Sequence, residues 1–189
     1  MTATHRRRCG FTLIELMVTV LVLIILLALG VPAFADLLSR TKLTSTANTL
    51  LAHLQYARST AVRRGGGRVA VGPCNNAKTC TDTPPTPWPD NQVWQDGYMV
   101  ALVDTVSPPK ILQVLRRVDA AELASVTIDK NGTSPRFFFH PDGSAGGAAT
   151  VTLCDRRTST IARAVIVDAV GRARVAQYAP DGVALQCRP

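Results

Sequence analysis

The apolar positions along the chain follow two patterns, a continuous run and then a helical stripe. From Leu16 to Ala35 about 20 consecutive residues carry no charge, which is enough for a helix to cross the roughly 30 Å core of a bilayer. Beyond this run, apolar residues recur every three or four positions, the spacing of an amphipathic helix. They are Leu43, Ala47, Leu50, Leu51, Leu54, Ala57 and Ala61. We therefore predict one helix that Pro32 kinks and that the glycines at 65–67 end.

After these glycines the pattern changes to short apolar segments separated by turn signals, as in a β-rich domain. We predict β-structure over residues 68–72, 97–104, 110–118, 125–128, 136–140, 149–154 and 161–178. The proline-rich loop 81–92 cannot join a central strand, and we expect Trp88 and Trp94 to pin it to the core instead of forming a ligand platform. A long helix followed by antiparallel strands predicts an α+β fold, with the helix packed against a β-rich head.

Glu15 is the unusual residue of the apolar segment. Three arginines at positions 6–8 are expected to keep the N-terminal end in the cytoplasm, yet a carboxylate inside the membrane costs ~3 kcal/mol unless it has a partner. Neither a secretory signal cleaved after Ala35 nor a plain membrane anchor explains it. Cleavage between Gly10 and Phe11 does, because the new α-ammonium group of one subunit could then face Glu15 of its neighbour.

The segment CGFTLIELMVTVLVLIILLALGVPAF resembles the N-terminus of type IV pilins and of type II secretion pseudopilins. The similarity includes Gly10, Phe11, Glu15 and Pro32. It implies cleavage after Gly10 by a prepilin peptidase, N-methylation of Phe11, and insertion in the bacterial inner membrane with the head in the periplasm. Assembly with other pilins or pseudopilins in a fibre would follow. The implied domains are a leader at 1–10, a helix at 11–64 with its transmembrane part at about 13–35, and a head at 65–189.

The cysteines indicate disulfide bonds. Cys9 precedes the apolar segment, whereas Cys74, Cys80, Cys154 and Cys187 follow it, and an even number beyond a membrane predicts two disulfides in an oxidising compartment. Three pairings are possible. We favour Cys74–Cys80, which would close a short loop, and Cys154–Cys187, which would fix the C-terminus. A zinc site is the disfavoured alternative, because the paired C-x2-C spacing and nearby histidines are missing.

Catalytic signatures are absent from the sequence. The chain contains 3 histidines and no nucleophile elbow, H-E-x-x-H motif, paired carboxylates or phosphate loop. We therefore expect no enzymatic activity and no cofactor. On this reading His53 is an ordinary surface or interface residue of the helix, and His140 lies at the edge of a buried strand that enters a turn.

The head resembles the GspH/FimT family of pilin-like proteins over nearly its whole length. The similar segments are residues 51–65, 94–104, 136–145, 152–155 and 171–187. In that family the strands form two antiparallel sheets over the helix, so the resemblance implies the same architecture here.

Arginines dominate the C-terminal region of a chain whose net charge is +8. Arg172 and Arg174 would share one face of a strand, Gly171 permits a bend or a close backbone approach, and arginine forks suit phosphate oxygens. This GRAR segment resembles the G-R-x-R motif of FimT-type minor pilins, which implies non-specific binding of double-stranded DNA in natural transformation. We expect the same patch to include Arg156, Arg157 and Arg188.

Three alternatives stay open at the level of sequence. Arg172 and Arg174 could instead pair with Asp155 or Asp168, or be ordinary solvated residues. The protein could be a GspH-like minor pseudopilin, a structural subunit near the tip of a type II secretion pseudopilus that does not bind DNA. It could also be a soluble binding protein released after Ala35.

Overall fold

The computed structural model describes residues 12–74, 88, 93–105, 109–131, 134–156 and 161–187. These residues belong to two compact units, Met1–Leu38 and Ser39–Pro189. One helix, α1 (Leu13–Arg64), contributes residues to both units. Most of the predicted proline-rich loop lies outside the described residues.

In the first unit, α1 is an apolar helix whose most hydrophobic stretch is fully exposed, and it is long and apolar enough to cross a membrane. Helical residues continue through Pro32, and the kink there stays a prediction. At the helix start, the Glu15 N–H donates a hydrogen bond to Thr12 Oγ1 (3.3 Å), as in a Ser/Thr-x-x-Glu capping arrangement. Glu15 therefore occupies the first turn, where the helix dipole favours an anion.

In the second unit, α1 buries one face in the core. The buried residues are Leu43, Thr46, Ala47, Leu50, Leu54, Ala57, Thr60 and Ala61. The predicted stripe is thus confirmed except at Leu51, which is only half-buried. Thr46 was missed because its hydroxyl donates to the Lys42 carbonyl oxygen (3.0 Å), so its polar atom is satisfied within the helix. The helix ends at Arg64, and Gly65 follows with a φ of +64°, a common way to terminate a helix.

The head contains two four-stranded antiparallel sheets, which confirms the predicted α+β architecture. The first sheet has the order β3–β2–β1–β5 and the second the order β4–β6–β7–β8. The strands are β1 (Arg68–Pro73), β2 (Gly97–Val103), β3 (Ile111–Asp119), β4 (Val126–Asn131), β5 (Phe137–Phe139), β6 (Ala149–Asp155), β7 (Ala162–Val167) and β8 (Ala173–Ala176). Short 3₁₀ turns at Trp94–Asp96 and Ala120–Leu123 complete the described elements.

The continuous β-structure predicted over 161–178 is wrong in one respect, because the chain reverses between β7 and β8. The reversal is closed by hydrogen bonds from the Gly171 N–H to the Asp168 carbonyl oxygen (2.9 Å) and from the Asp168 N–H to the Arg172 carbonyl oxygen (3.0 Å). Gly171 has a φ of +78°, which side-chain-bearing residues rarely adopt. The segment is therefore a tight hairpin with β8 at the edge of the second sheet.

Strand alternation places side chains of the first sheet in two separate apolar clusters. The main core combines α1 with both sheets and contains Trp94 and Tyr98, whereas Trp88 and Met99 belong to a smaller cluster. Both tryptophans are buried, and Trp88 Nε1 donates to the Pro73 carbonyl oxygen (2.9 Å). This burial agrees with a packing role for both residues.

His53 makes a specific contact with the first sheet that the sequence alone does not report. Its ring is half-buried, and Nδ1 lies 2.9 Å from the hydroxyl oxygen of Tyr98 on β2. Burial lowers the pKa of His53, Arg116 on β3 lowers it further, and Glu122 opposes the shift. Sequence reasoning could not anticipate this because the contact joins residues 45 positions apart.

Candidate nucleic-acid interface

Of the two predicted arginines, Arg174 lies on the edge strand β8 and Arg172 lies in the turn just before it. Ala173 and Val175 pack against the main core, so the side chains that alternate with them point away from it. Arg174 lies opposite Ile166 in the β7–β8 register, and both Arg172 and Arg174 are exposed. The predicted one-sided placement of the two guanidinium groups therefore agrees with the strand geometry.

Arg172 forms an ion pair with Asp168, and this pair is exposed to solvent. Its Nε lies 3.2 Å from Asp168 Oδ2, while 76% of the arginine side chain and 42% of the aspartate side chain stay exposed. Asp168 Oδ1 also accepts a hydrogen bond from the Arg172 N–H at 2.7 Å. Within the described part of the chain the two Nη nitrogens have no hydrogen-bond partner. Because exposed ion pairs contribute ~1 kcal/mol or less, a phosphate can still engage this guanidinium group.

An open groove lies beside these arginines. Its volume is about 860 Å³, and Arg174 reaches it without an ion-pair partner among the described residues. The lining is mostly apolar, and Asn131, Thr150 and Asp168 add polar groups beside the two arginines. Its other contributors include Ile166 and Pro180.

Gly171 is required by the packing of the turn that precedes β8. It is buried, and a Cβ built on it would lie 2.2 Å from the carbonyl oxygen of Gly143 and 3.1 Å from Nε of Arg58. The bend and the close backbone approach that the sequence suggested for Gly171 are thus both present. The turn therefore packs directly against the segment after β5 and against the side of α1.

The structure does not bring Arg156, a predicted member of the patch, together with Arg172. Strand β6 starts at Ala149, opposite Val167 and so near Arg172, and ends at Asp155 just before Arg156. Six residue steps of a strand separate the two ends by about 20 Å, so Arg156 lies at the far end of the sheet. Arg157 and Arg188 lie outside the described residues. Asp155 is buried at that far end, which leaves Asp168 as the partner of Arg172.

The C-terminal segment is tied to the second sheet by a disulfide. Cys154 on β6 bonds to Cys187, with their Cα atoms 5.8 Å apart, which is the pairing favoured from the sequence. Cys74 is buried and disulfide-bonded, and Cys80 lies outside the described residues. Among the residues that have coordinates, no cluster of histidine, cysteine or acidic side chains could hold a metal ion.

A sequence model of the family described as type II transport protein GspH matches residues 46–171. This range runs from α1 just after Ser45, through strands β1 to β7, to Gly171. The chain belongs to the GspH family. A second model, the prokaryotic N-terminal methylation motif, matches residues 5–31 of this GspH-family chain.

Solved structures share the fold of this GspH-family chain. The type IV minor pilin FimU of Pseudomonas aeruginosa PAO1 superimposes with a TM-score of 0.57 and 21% identity, covering 79% of this chain and 97% of FimU. A second crystal form of FimU gives a TM-score of 0.54 and 20% identity, covering 77% of this chain and 100% of FimU. At such identities the likeness shows the fold alone.

One curated relative shares part of the sequence. The prepilin peptidase-dependent protein D of Escherichia coli K12 is 35% identical over 74 residues, which are 39% of this chain. The chain spans about half the length of that relative, 51%.

Together, the family match and the methylation motif make the chain a pilin-like protein of GspH type, and its fold is the one that the FimU structures share. The apolar part of α1 suggests anchoring in a membrane. The GspH family has a structural role, in keeping with the lack of catalytic signatures in the sequence.

Arg58 is the residue of this GspH-family site that sequence reasoning missed. Its Nε donates to the Gly143 carbonyl oxygen (2.9 Å), and its Nη2 donates to the Val170 carbonyl oxygen (3.0 Å). The one available signal was its spacing, since it follows Leu54 by four residues and precedes Ala61 by three. That spacing puts it at the border of the buried stripe instead of the opposite face of the helix.

Proposed function

We propose that this chain is a FimT-like minor pilin of type IV pili that binds double-stranded DNA non-specifically, for DNA uptake in natural transformation. The observation that carries the proposal is the exposure of Arg174 on the edge strand β8 and of Arg172 immediately before that strand, beside a shared groove. Two guanidinium groups two residues apart on a strand lie about 7 Å from each other and can contact separate phosphates of a DNA backbone. Contacts of this kind attract DNA without reading its sequence.

The proposed processing and location follow from the N-terminal segment. A prepilin peptidase would cut after Gly10, Phe11 would be N-methylated, and Glu15 would face the new α-ammonium group of a neighbouring pilin. The apolar half of α1 would hold the protein in the inner membrane, with the head in the periplasm. The Cys154–Cys187 disulfide supports this placement, because such bonds persist in oxidising compartments.

The proposal is tested by comparing two pairs of arginine substitutions in the full chain, purified in neutral-detergent micelles. R172Q/R174Q removes one charge from β8 and one from the turn before it, and the control R116Q/R117Q removes two charges from exposed residues of β3, an edge strand of the first sheet. Fluorescence anisotropy with a labelled 30-base-pair duplex then gives the affinity of each variant. We expect R172Q/R174Q to abolish binding and R116Q/R117Q to reduce it by less than about 3-fold, since distant charges act only through the screened general field. Equal binding by R172Q/R174Q and wild type would remove the proposal, and equal loss in both variants would attribute binding to net charge.

A second candidate is a GspH-like minor pseudopilin that serves as a structural tip subunit in type II secretion. The description of the matching family, a type II transport protein, favours it. This candidate shares the fold, the processing and the location but has no DNA ligand. Genes for secretion components beside the gene of this chain, together with failure of the wild-type chain to bind DNA, would select it.

A further inference from the structure

We propose that Arg58 is a positioning residue for Arg172, acting from α1 on the turn that carries Arg172 without touching the nucleic acid itself. This inference rests on the proposed DNA binding and adds a residue to it.

The guanidinium group of Arg58 joins two separate turns to the helix. Its Nε binds the carbonyl oxygen of Gly143, in the turn that follows β5, and its Nη2 binds the carbonyl oxygen of Val170, in the turn between β7 and β8. Val170 is only two residues before Arg172, so the bond at Val170 fixes the backbone next to the phosphate-binding side chain.

Within the hairpin, Arg172 is bonded to Asp168 through its N–H and its Nε, so Arg58 acts on the position of the whole turn against the rest of the head. The turn's described backbone bonds to the rest of the head include one from the Ala145 N–H to the Ala169 carbonyl oxygen (3.0 Å), and Gly171 rests against the Gly143 carbonyl. Arg174 differs from Arg172, because it lies within β8 and is held by pairing with β7. Loss of the Arg58 bonds should therefore loosen Arg172 more than Arg174.

Positioning affects affinity because ordering a flexible side chain and its turn on binding costs free energy. A turn that is already fixed presents the two free Nη nitrogens of Arg172 to a phosphate without this cost. Arg58 itself is a poor candidate for a phosphate ligand, since two of its donor nitrogens are already bonded to carbonyl oxygens.

Replacement by lysine separates geometry from charge. An ammonium group keeps the positive charge but lacks the planar fork that reaches two carbonyl oxygens at once. The matched control is R63K, on the same helix, where the described bond of Arg63 is a long one from Nη2 to Thr60 Oγ1 (3.4 Å). Neither substitution changes the net charge, so a difference between them reports the Arg58 bonds.

The experiment measures duplex binding by full-chain variants in micelles, using the anisotropy assay described above. We expect R58K to weaken binding about 3- to 10-fold and R63K to change it less than about 2-fold. In an R172Q background, R58K should add less than about 2-fold, because the residue that it positions is gone. A loss of overall stability would instead lower binding by the same factor in both backgrounds.

The outcomes separate this inference from the function on which it rests. Wild-type-like binding by R58K, or the same fold-loss with and without Arg172, overturns the positioning role while the DNA-binding proposal stands. Absence of DNA binding by the wild-type chain overturns both. Should R58K fail to fold, as judged by its thermal melt, R58Q measured against R63Q tests the same claim, since glutamine can reach only one of the two carbonyl oxygens.

Discussion

Gly171 and Gly143 approach each other so closely that a Cβ on Gly171 would lie 2.2 Å from the Gly143 carbonyl oxygen. The contact joins the hairpin that carries Arg172 to the turn after β5, and Arg58 of α1 bonds to both of these segments. The glycine of the GRAR segment therefore has a structural explanation that is independent of any ligand. Because this residue has no side chain, the hairpin, the turn after β5 and α1 can pack against one another next to the exposed arginine.

The first prediction concerns this contact. G171A should lower the free energy of unfolding by about 3 kcal/mol, since it combines the cost of a left-handed backbone with a clash against a carbonyl oxygen. G182A is the control, because Gly182 has a φ of +80° but nothing within 4 Å of its Cβ position. We expect about 1 kcal/mol for that variant, from backbone strain alone. Chemical denaturation followed by tryptophan fluorescence measures both, and equal effects would contradict the proposed clash.

The second prediction concerns the disulfide between Cys154 and Cys187. The bond closes a loop across a sequence separation of 33 residues. Its removal in C154A/C187A should lower the free energy of unfolding by about 3–4 kcal/mol, because the unfolded chain regains loop freedom. Denaturation of the variant beside the oxidised wild type provides the measurement. A change below about 1 kcal/mol would mean that the tie contributes little to the stability of the head.

The third prediction is a pH dependence that arises from His53. Burial and Arg116 lower the pKa of His53 below its ordinary value of 6.5, so the unfolded chain binds more protons there than the folded one. The resulting stabilisation is complete above pH 6.5 and is lost as the pH falls from there towards the folded-state pKa. In H53Q this contribution disappears, and the melting temperature should fall less than that of the wild type between pH 8 and pH 5. Parallel melting curves of the two proteins would contradict it.

Some elements could be predicted from the sequence and others could not, and the difference has physical reasons. The helical stripe and most strands were predicted because periodicity reports which side of an element is buried, as for Leu50 on α1 and Val151 on β6. The buried threonines of α1, Thr46 and Thr60, escaped this test because threonine counts as polar; Thr46 satisfies its hydroxyl inside the helix. The hairpin after β7 was missed because its turn depends on the Asp168 side chain and on the φ of Gly171, which hydrophobic patterning does not report.

The candidate site was predictable only where local geometry decides it. Alternation along a strand predicted the shared side of Arg172 and Arg174. Arg156 lies apart from them because nearness in sequence says nothing about which end of an antiparallel strand a residue occupies. The role of Arg58 depends on bonds to residues 85 and 112 positions away, and only the folded chain brings these partners together.

The central claim is that Arg172 and Arg174 bind DNA phosphates, and its most direct test is the salt dependence of duplex binding. Affinities of the full-chain wild type and of R172Q/R174Q, or of the single variants where binding of the double variant is too weak, are measured over a range of salt concentrations. Each phosphate contact contributes about 0.9 to the slope of the logarithm of affinity against the logarithm of salt concentration. We expect a slope shallower by about 0.9 in each single variant, and by about 1.8 in the double variant, together with weaker binding. Unchanged slopes and unchanged affinities would contradict it.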